Sequence, residues 1–497
     1  MLADKEDIII RQQRDLLKRL IWLRNQVECE GSERFKKWES WIEREDFIES
    51  AKNLAHYLAL RKHDLRVLQK ELSPLGLSSL GRLESKVLPA LDAVIASLAK
   101  ISQSPKSKKF PHPAPETIQL GKKLLKKRCN EIFGKSSSQT RIMVTLSGDS
   151  ASEPEFIESL VSRGMDVARI NCAHDNRYIW NELIRHVRDA SAKTGNKCRI
   201  MMDLAGPKAR ITGVHIQENH RRVFTDDVIL LADTPECDYK TQAIITVSIP
   251  QIFRKLNKGT EVWIDDGKIG ARVEEQSDTG CFLRVFHAAP KGTKLGESKG
   301  INFPGIEIGS ALSEADLTNL DFVIDHADLI GYSFIQKAAD LDTLEAELLK
   351  RFDKTAAIPI VAKIETELAV QNLPEIIVRA AGRHPLAIMI ARGDLAVEIG
   401  YERLAEIQEE IMWLAEAAHI PVIWATQVLE RLVKKGVRSR AEITDAAMSV
   451  RAECVMLNKG AYVLEAIEML RDLYKRMHQH QEKKSPQLRA LKSWTSV

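Results

Sequence analysis

The 497-residue sequence contains no Cys-x-x-Cys pair, and its seven cysteines (Cys29, Cys129, Cys172, Cys198, Cys237, Cys281 and Cys454) are odd in number and scattered. This argues against a zinc site or a disulfide framework and fits reduced thiols in a cytoplasmic protein. No run of about 18 uncharged apolar residues occurs, and the opening MLADKEDIIIRQQRDLLKRL lacks an apolar core with a cleavage site. Neither a membrane partner nor a secretory leader is therefore expected. Charge of one sign is missing too: 73 basic against 69 acidic residues leave +4, which gives no general argument for nucleic acid. Aromatics are sparse at 6%, but 44% hydrophobic and 29% charged residues are ordinary for a globular chain. The length suggests roughly two to four domains.

Along the chain, residues 1–103 read as a helical module, with Leu54, Leu58, Leu65, Leu68 and Leu72 marking one apolar face and a further helix after SPLGLSSLG. The stretch SQSPKSKKFPHPAPE and the basic run KKLLKKR place a linker and a basic helix over 104–137, the basic run reading as a solvated face. From Arg141 the texture changes to short apolar runs alternating with amphipathic stretches. Eight such runs occur: RIMVTL, DVARIN, RIMMDLAG, DLIGYSFI, IPIVAKIE, LAIMIARGD, PVIWATQ and CVMLNKG. Eight strand–helix units meet the requirement of a closed (β/α)8 TIM barrel, whose chemistry sits at the C-terminal strand ends. One connection is too long for a crossover and holds alternating runs such as VWIDDGKIGARV, with Asp266–Gly267 at a hairpin. The expected organisation is α/β: barrel over 138–211 and 299–480, an inserted β-barrel lid over 212–298, and a basic tail over 481–497.

The strand ends carry Arg169 and Asn171, Asp203, Lys363 and Glu365, Arg392 and Asp394, and Thr426 and Gln427. Lys363 and Glu365 are two apart, so on a strand they point the same way. Glu365 and Asp394, on adjacent strands, suit an oxygen-preferring divalent ion such as magnesium. Each residue also has a plain structural reading: N-caps for the aspartates, an ion pair for Lys363 and Glu365, a rim position for Arg169. The convergence of both signs on one barrel mouth favours a site for a phosphorylated, metal-chelating small acid.

These residues lie in motifs that resemble the pyruvate kinase family over roughly Arg141 to Ile467: VARINCAH, DLAGPKAR, KGINFPG, VAKIETE, MIARGDLAVEI, IWATQVLE and SRAEITDAA, in the family's order. The resemblance implies transfer of phosphoryl from phosphoenolpyruvate to ADP, giving pyruvate and ATP, with Mg2+ or Mn2+ as cofactor. It assigns Lys363, Arg169 and Thr426 to catalysis and Gly393 and Asp394, with Thr426 and Arg169, to the substrate. Asn171, His174 and Arg210 fall on the nucleotide side, and Glu365 with Asp394 on the metal. A homodimer through the barrels is a family-level expectation.

Departures from the family pattern qualify this. Ala173 and Leu204 replace two oxygen donors of the potassium site, while Lys208 stands where the family usually has an acid. The pattern resembles the potassium-independent branch, with the Lys208 ammonium, Asp203 and Asn171 in place of K+. Gly148 in TLSGDS replaces a proline, and Asn458 stands where the family has a serine implicated in proton delivery. The sequence after the barrel lacks the α/β domain that carries sugar-phosphate control in many relatives. Two alternatives stay open: a lyase or aldolase acting on a pyruvate enolate, and a non-catalytic relative that binds phosphoenolpyruvate or nucleotide.

Overall fold

The computed structural model describes residues 2–486, apart from 106, 137, 217–221, 235–240, 242, 250 and 352–357. The basic tail expected over 481–497 lies mostly outside the described residues, and its first six form a hairpin, Gln481–Glu482 against Ser485–Pro486. Helices α1 (Leu2–Trp38), α2 (Ile48–Leu60), α3 (Arg66–Leu72) and α4 (Val87–Ile101) make up the N-terminal region. On α1, Leu16, Leu20, Leu23 and Val27 recur every three or four residues and are buried, in one apolar cluster with Leu54 of α2 and Leu91 and Ile95 of α4. The leucine face expected over 54–72 is interrupted after Leu60, where α2 ends and the chain turns before α3.

All eight apolar runs form strands. They are β1 (Arg141–Thr145), β2 (Val167–Asn171), β3 (Arg199–Asp203), then, beyond an insertion, β11 (Leu329–Tyr332), β12 (Ile360–Ile364), β13 (Leu386–Ala391), β14 (Val422–Ala425) and β15 (Cys454–Leu457). They close in the order β1-β15-β14-β13-β12-β11-β3-β2, every pairing parallel. The insertion supplies β4 (Ile211–Ile216), β5 (Val228–Ala232), β6 (Ala243–Val247), β7 (Glu261–Ile264), β8 (Ile269–Ser277) and β9 (Gly280–His287). With β10 (Ile301–Asn302) they form a seven-stranded sheet that has its own core. The β7–β8 hairpin turns through Asp265, Asp266 and Gly267, all at positive φ, as the Asp-Gly signal requires.

Strand alternation fixes what fills the barrel. Met143, Val167, Met201, Val361, Met389, Ile423 and Met456 face inward, while Ile142, Val144, Ala168 and Ile200 belong to the cluster under the surrounding helices. Helix α5 (Pro115–Phe133) closes the floor: Cys129, Ile132 and Phe133 join the interior cluster. The basic run on α5 is therefore not all solvated. Arg128 is 3% exposed, because the stripe Gly121, Arg128, Cys129, Ile132 is the helix's buried face.

The N-terminal region docks on this same floor and on the adjoining helices. Arg128 donates to the carbonyls of Ala418 (3.0 Å), His419 (3.1 Å) and Asp46 (2.9 Å) and to Ser50 Oγ (2.8 Å). His419, just before β14, bridges Ser50 Oγ (2.8 Å) and the Ser85 carbonyl (3.0 Å). Gly382 O, before β13, accepts from the N–H groups of Glu43 and Arg44 at 2.9 and 2.8 Å. Each of these contacts is at the N-terminal end of a strand, away from the barrel mouth.

Candidate active site

Parity carries the interior pattern upward into the site. Val167, Met201 and Val361 point into the barrel, so two residues further on Arg169, Asp203 and Lys363 point the same way and form its topmost layer. In place of apolar packing this layer is a charge network. Arg169 donates to Asp203 Oδ2 through Nε (3.0 Å) and to Thr145 Oγ1 through Nη1 (3.0 Å). Lys363 Nζ lies 3.3 Å from the same Asp203 oxygen, 3.0 Å from Glu365 Oε1 and 2.7 Å from Ser333 Oγ. Glu365 Oε2 accepts from Phe334 N at 2.8 Å. Asp203, Lys363 and Glu365 are all buried. Gly331 permits the approach: a Cβ there would lie 2.5 Å from Asp203 Oδ1.

The titration behaviour follows from this wiring. Burial pushes the Asp203 carboxyl up, but Lys363 and Arg169 outweigh it and hold the group below its ordinary range. Burial pushes the Lys363 ammonium down, but Asp203 and Glu365 more than reverse that. Glu365 is raised, by burial first and by the nearby Asp394 charge, with Lys363 only partly opposing. A buried carboxyl whose proton affinity is raised by a neighbouring carboxylate offers a donor pair that a divalent cation relieves. Among the described residues no group of three or more His, Cys, Asp or Glu side chains gathers to hold a metal. A magnesium ion at Glu365 and Asp394 would thus take its other ligands from water and substrate, as that ion usually does.

The rim is strained. After β14 the chain turns through Thr426, Gln427 and Leu429 at φ of 63°, 55° and 49°. A β-branched residue in the left-handed region is costly and persists only where its surroundings enforce it. Arg392 supplies the enforcement: it donates to the carbonyls of Ala425 (2.9 Å) and Thr426 (2.6 Å) and grips Asp445 at 2.6 and 3.0 Å. Thr426 Oγ1 is buried without a hydrogen-bond partner, which suits a group waiting for a ligand. Gly393 packs against it, and Gly393 and Asp394 lie in the first turn of the helix Arg392–Ile399, where N–H groups are unpaired.

Not all the expected residues meet. Lys208 Nζ goes to Asp394 Oδ1 at 2.6 Å, not to Asp203 or Asn171. Asp203 already holds two cations, so Asp394 is the carboxylate with one to gain. Asn171 Oδ1 accepts from Ala173 N (3.1 Å), and His174 follows in that exposed turn. Arg210 sits where chain enters the inserted sheet and donates to the Ser298 carbonyl at 3.1 Å. Asn458 donates to Glu430 Oε2 at 3.1 Å, and Lys459 is exposed. Gly148 meets a local match: a Cβ there would lie 2.3 Å from Asp175 Oδ1, so the first- and second-strand loops fit only without a side chain. Sequence reasoning missed Ser333, Thr145 and the Arg392–Asp445 clamp. Ser333 was signalled by its place, one residue beyond a strand end.

This geometry can be set beside known proteins. A family model described as "Pyruvate kinase, barrel domain" matches residues 137–467. Pyruvate kinase of Thermococcus litoralis is 32% identical over 70% of this chain and 71% of its own length. That of Dictyostelium discoideum is 32% identical over 67% of this chain and 65% of its own, and human pyruvate kinase PKLR 31% over 67% and 59%. A pyruvate kinase crystal structure from Cryptosporidium parvum superposes with a TM-score of 0.62 at 25% identity, covering 71% of this chain and 70% of that one. With two thirds of its length under the family model and the closed barrel at its centre, this chain belongs to the pyruvate kinase family.

Proposed function

We propose that the protein transfers phosphoryl from phosphoenolpyruvate to ADP, with magnesium and without a potassium requirement. The observation that carries the reading is the network at the top of the barrel in which half-buried Arg169 meets buried Asp203, Lys363 and Glu365. The roles are those the sequence suggests. Lys363 is held between Asp203 and Glu365 with its ammonium at the mouth, where it stabilises charge on a migrating phosphoryl group. Arg169 lends a second cation to phosphate, and the N–H groups of Gly393 and Asp394 receive the substrate carboxylate. Thr426 directs its free hydroxyl at the enolate. A divalent ion bound at Glu365 and Asp394 would supply Lewis-acid neutralisation of phosphate and enolate oxygens. Asn171, His174 and Arg210 border the side where nucleotide would enter.

Charge matching supports potassium independence. Each mouth carboxylate has a fixed cation: Arg169 and Lys363 for Asp203, Lys363 for Glu365, Lys208 for Asp394. Lys208 thus acts as the resident monovalent charge, at Asp394 and not in the Asp203–Asn171 position. Asn458, tied to Glu430, cannot relay a proton as a hydroxyl can, which leaves water beside Thr426 as the enolate's proton source.

The described cysteines are all free and no described helix is long and apolar enough to cross a membrane. The test is pyruvate formation from phosphoenolpyruvate and ADP with magnesium, with and without potassium, beside Lys363→Met. Potassium-free turnover that the variant lacks is the expected result. Tight magnesium-dependent phosphoenolpyruvate binding without pyruvate would instead favour the enolate-lyase or non-catalytic reading.

A further inference from the structure

A cavity of about 1050 Å3 opens at the barrel floor, at the opposite end from the site above. Its walls come mainly from four pieces of chain: the turn Glu84–Lys86 with Arg82, one side of α5 with the segment after it, the approaches to β1 and β15, and the C-terminal hairpin. Most of these residues lie outside 137–467, the part matched by the family model. The cavity is therefore built mainly from chain that flanks the matched barrel.

Nine basic and four acidic side chains line it. Five of the cations are committed. Arg141 donates to the Gln139 carbonyl at 3.2 Å and to Asn130 Oδ1 at 2.9 Å, and Arg451 grips Glu409 twice at 2.6 Å. Lys483 and Lys484 of the hairpin neutralise Glu453 and Glu84, and Lys122 pairs with Glu482 at 2.5 Å. The other four, Arg82, Lys86, Lys126 and Lys135, have no carboxylate within ion-pair distance among the described residues. The fourth carboxylate, Glu416, is pushed up by burial, which reduces its opposition to an anion. The Nε atoms of Arg141 and Arg451 are buried without a hydrogen-bond partner. A concave site with a surplus of uncommitted cations concentrates anions, and the volume exceeds what one inorganic phosphate would need.

The geometry points to a second ligand site here, for a small molecule bearing several phosphate groups. Arg82 and Lys86 stand on the N-terminal region, Lys126 on α5 and Lys135 on the segment leading to β1, so such a ligand would bridge the N-terminal helices to the barrel. The inference does not depend on the reaction proposed for the mouth.

Isothermal titration of the full chain with inorganic tripolyphosphate, without magnesium and at constant ionic strength, tests it. The double variant Lys126→Glu, Lys135→Glu changes two exposed side chains, so its melting temperature without ligand should match that of the unaltered protein. Each removed contact should weaken binding about tenfold, and the pair about a hundredfold. Lys363→Met should bind tripolyphosphate at the floor unchanged, and excess phosphoenolpyruvate should leave that component in place. Absence of binding, equal binding by the double variant, or complete displacement by phosphoenolpyruvate would each overturn the proposal. Thermal melting gives a second reading: tripolyphosphate should raise the melting temperature of Lys363→Met, and adding Lys126→Glu and Lys135→Glu to that variant should abolish the rise.

Discussion

The two ends of the barrel both bury charge, and they do so in opposite ways. At the mouth, charges answer one another: Asp203, Lys363 and Glu365 share partners, while Thr426 Oγ1 and a strained turn remain unsatisfied. At the floor's helical junction, charge is answered by backbone: Arg128 spends its donors on three carbonyls and a hydroxyl, and His419 is bridged on both ring nitrogens. The first arrangement keeps side chains available to a ligand. The second fixes two pieces of chain together, and burial lowers the Arg128 pKa to about 10 and that of His419 to about 4.

Four changes would break or sharpen this contrast. Lys363→Met should have the largest effect, lowering kcat by about a thousandfold, the scale expected when a donor to developing charge is removed. Its cost to folding should be smaller, because Glu365, already raised, can take up a proton when the ammonium is gone; steady-state kinetics beside urea unfolding will separate the two. Arg128→Ala should do the reverse. Leaving three carbonyls and the Ser50 hydroxyl without their donor should cost roughly 3 kcal/mol in urea unfolding, with kcat within about twofold of the unaltered protein.

The third change is pH. His419 is neutral when folded and takes up a proton more readily when unfolded, so its contribution is present above pH 6.5 and lost as pH falls toward about 4. On the order of 3 kcal/mol should disappear across that window, and His419→Gln should flatten the slope. The smallest effect is expected from Thr426→Gly. It relieves the left-handed backbone and removes an orphaned hydroxyl, and should raise stability by about 1 kcal/mol while lowering turnover. A loss of stability there would show that the turn is not strained.

The barrel was legible because its strands are short apolar runs with polar ends, and parity alone places Arg169, Asp203 and Lys363 together at the mouth. What the sequence concealed were contacts made across the chain. Ser333 sits inside an apolar run whose C-terminal half has no charge, so only its place just beyond the strand end signalled it, and Arg392 reads as one more polar strand end until Asp445 is seen opposite it. Lys208 was legible as an unusual cation but not by partner, since the choice between Asp203 and Asp394 depends on which carboxylate other cations have taken. On α5 the spacing of Gly121, Arg128, Cys129 and Ile132 did mark a buried stripe, but the lysines around it gave the appearance of a solvated helix.

The plug that α5 makes in the barrel floor also sets an order of events. The helix is synthesised before any barrel strand, yet its apolar end is covered only when the sheet closes, and closure pairs β1 with β15. Thr140, at the end of the connection from α5, donates to the Ala452 carbonyl across 312 positions of sequence. A growing chain must therefore carry Phe133 and its neighbours uncovered through nearly the whole of barrel synthesis, the stage at which a nascent protein is most exposed to aggregation and most in need of a chaperone.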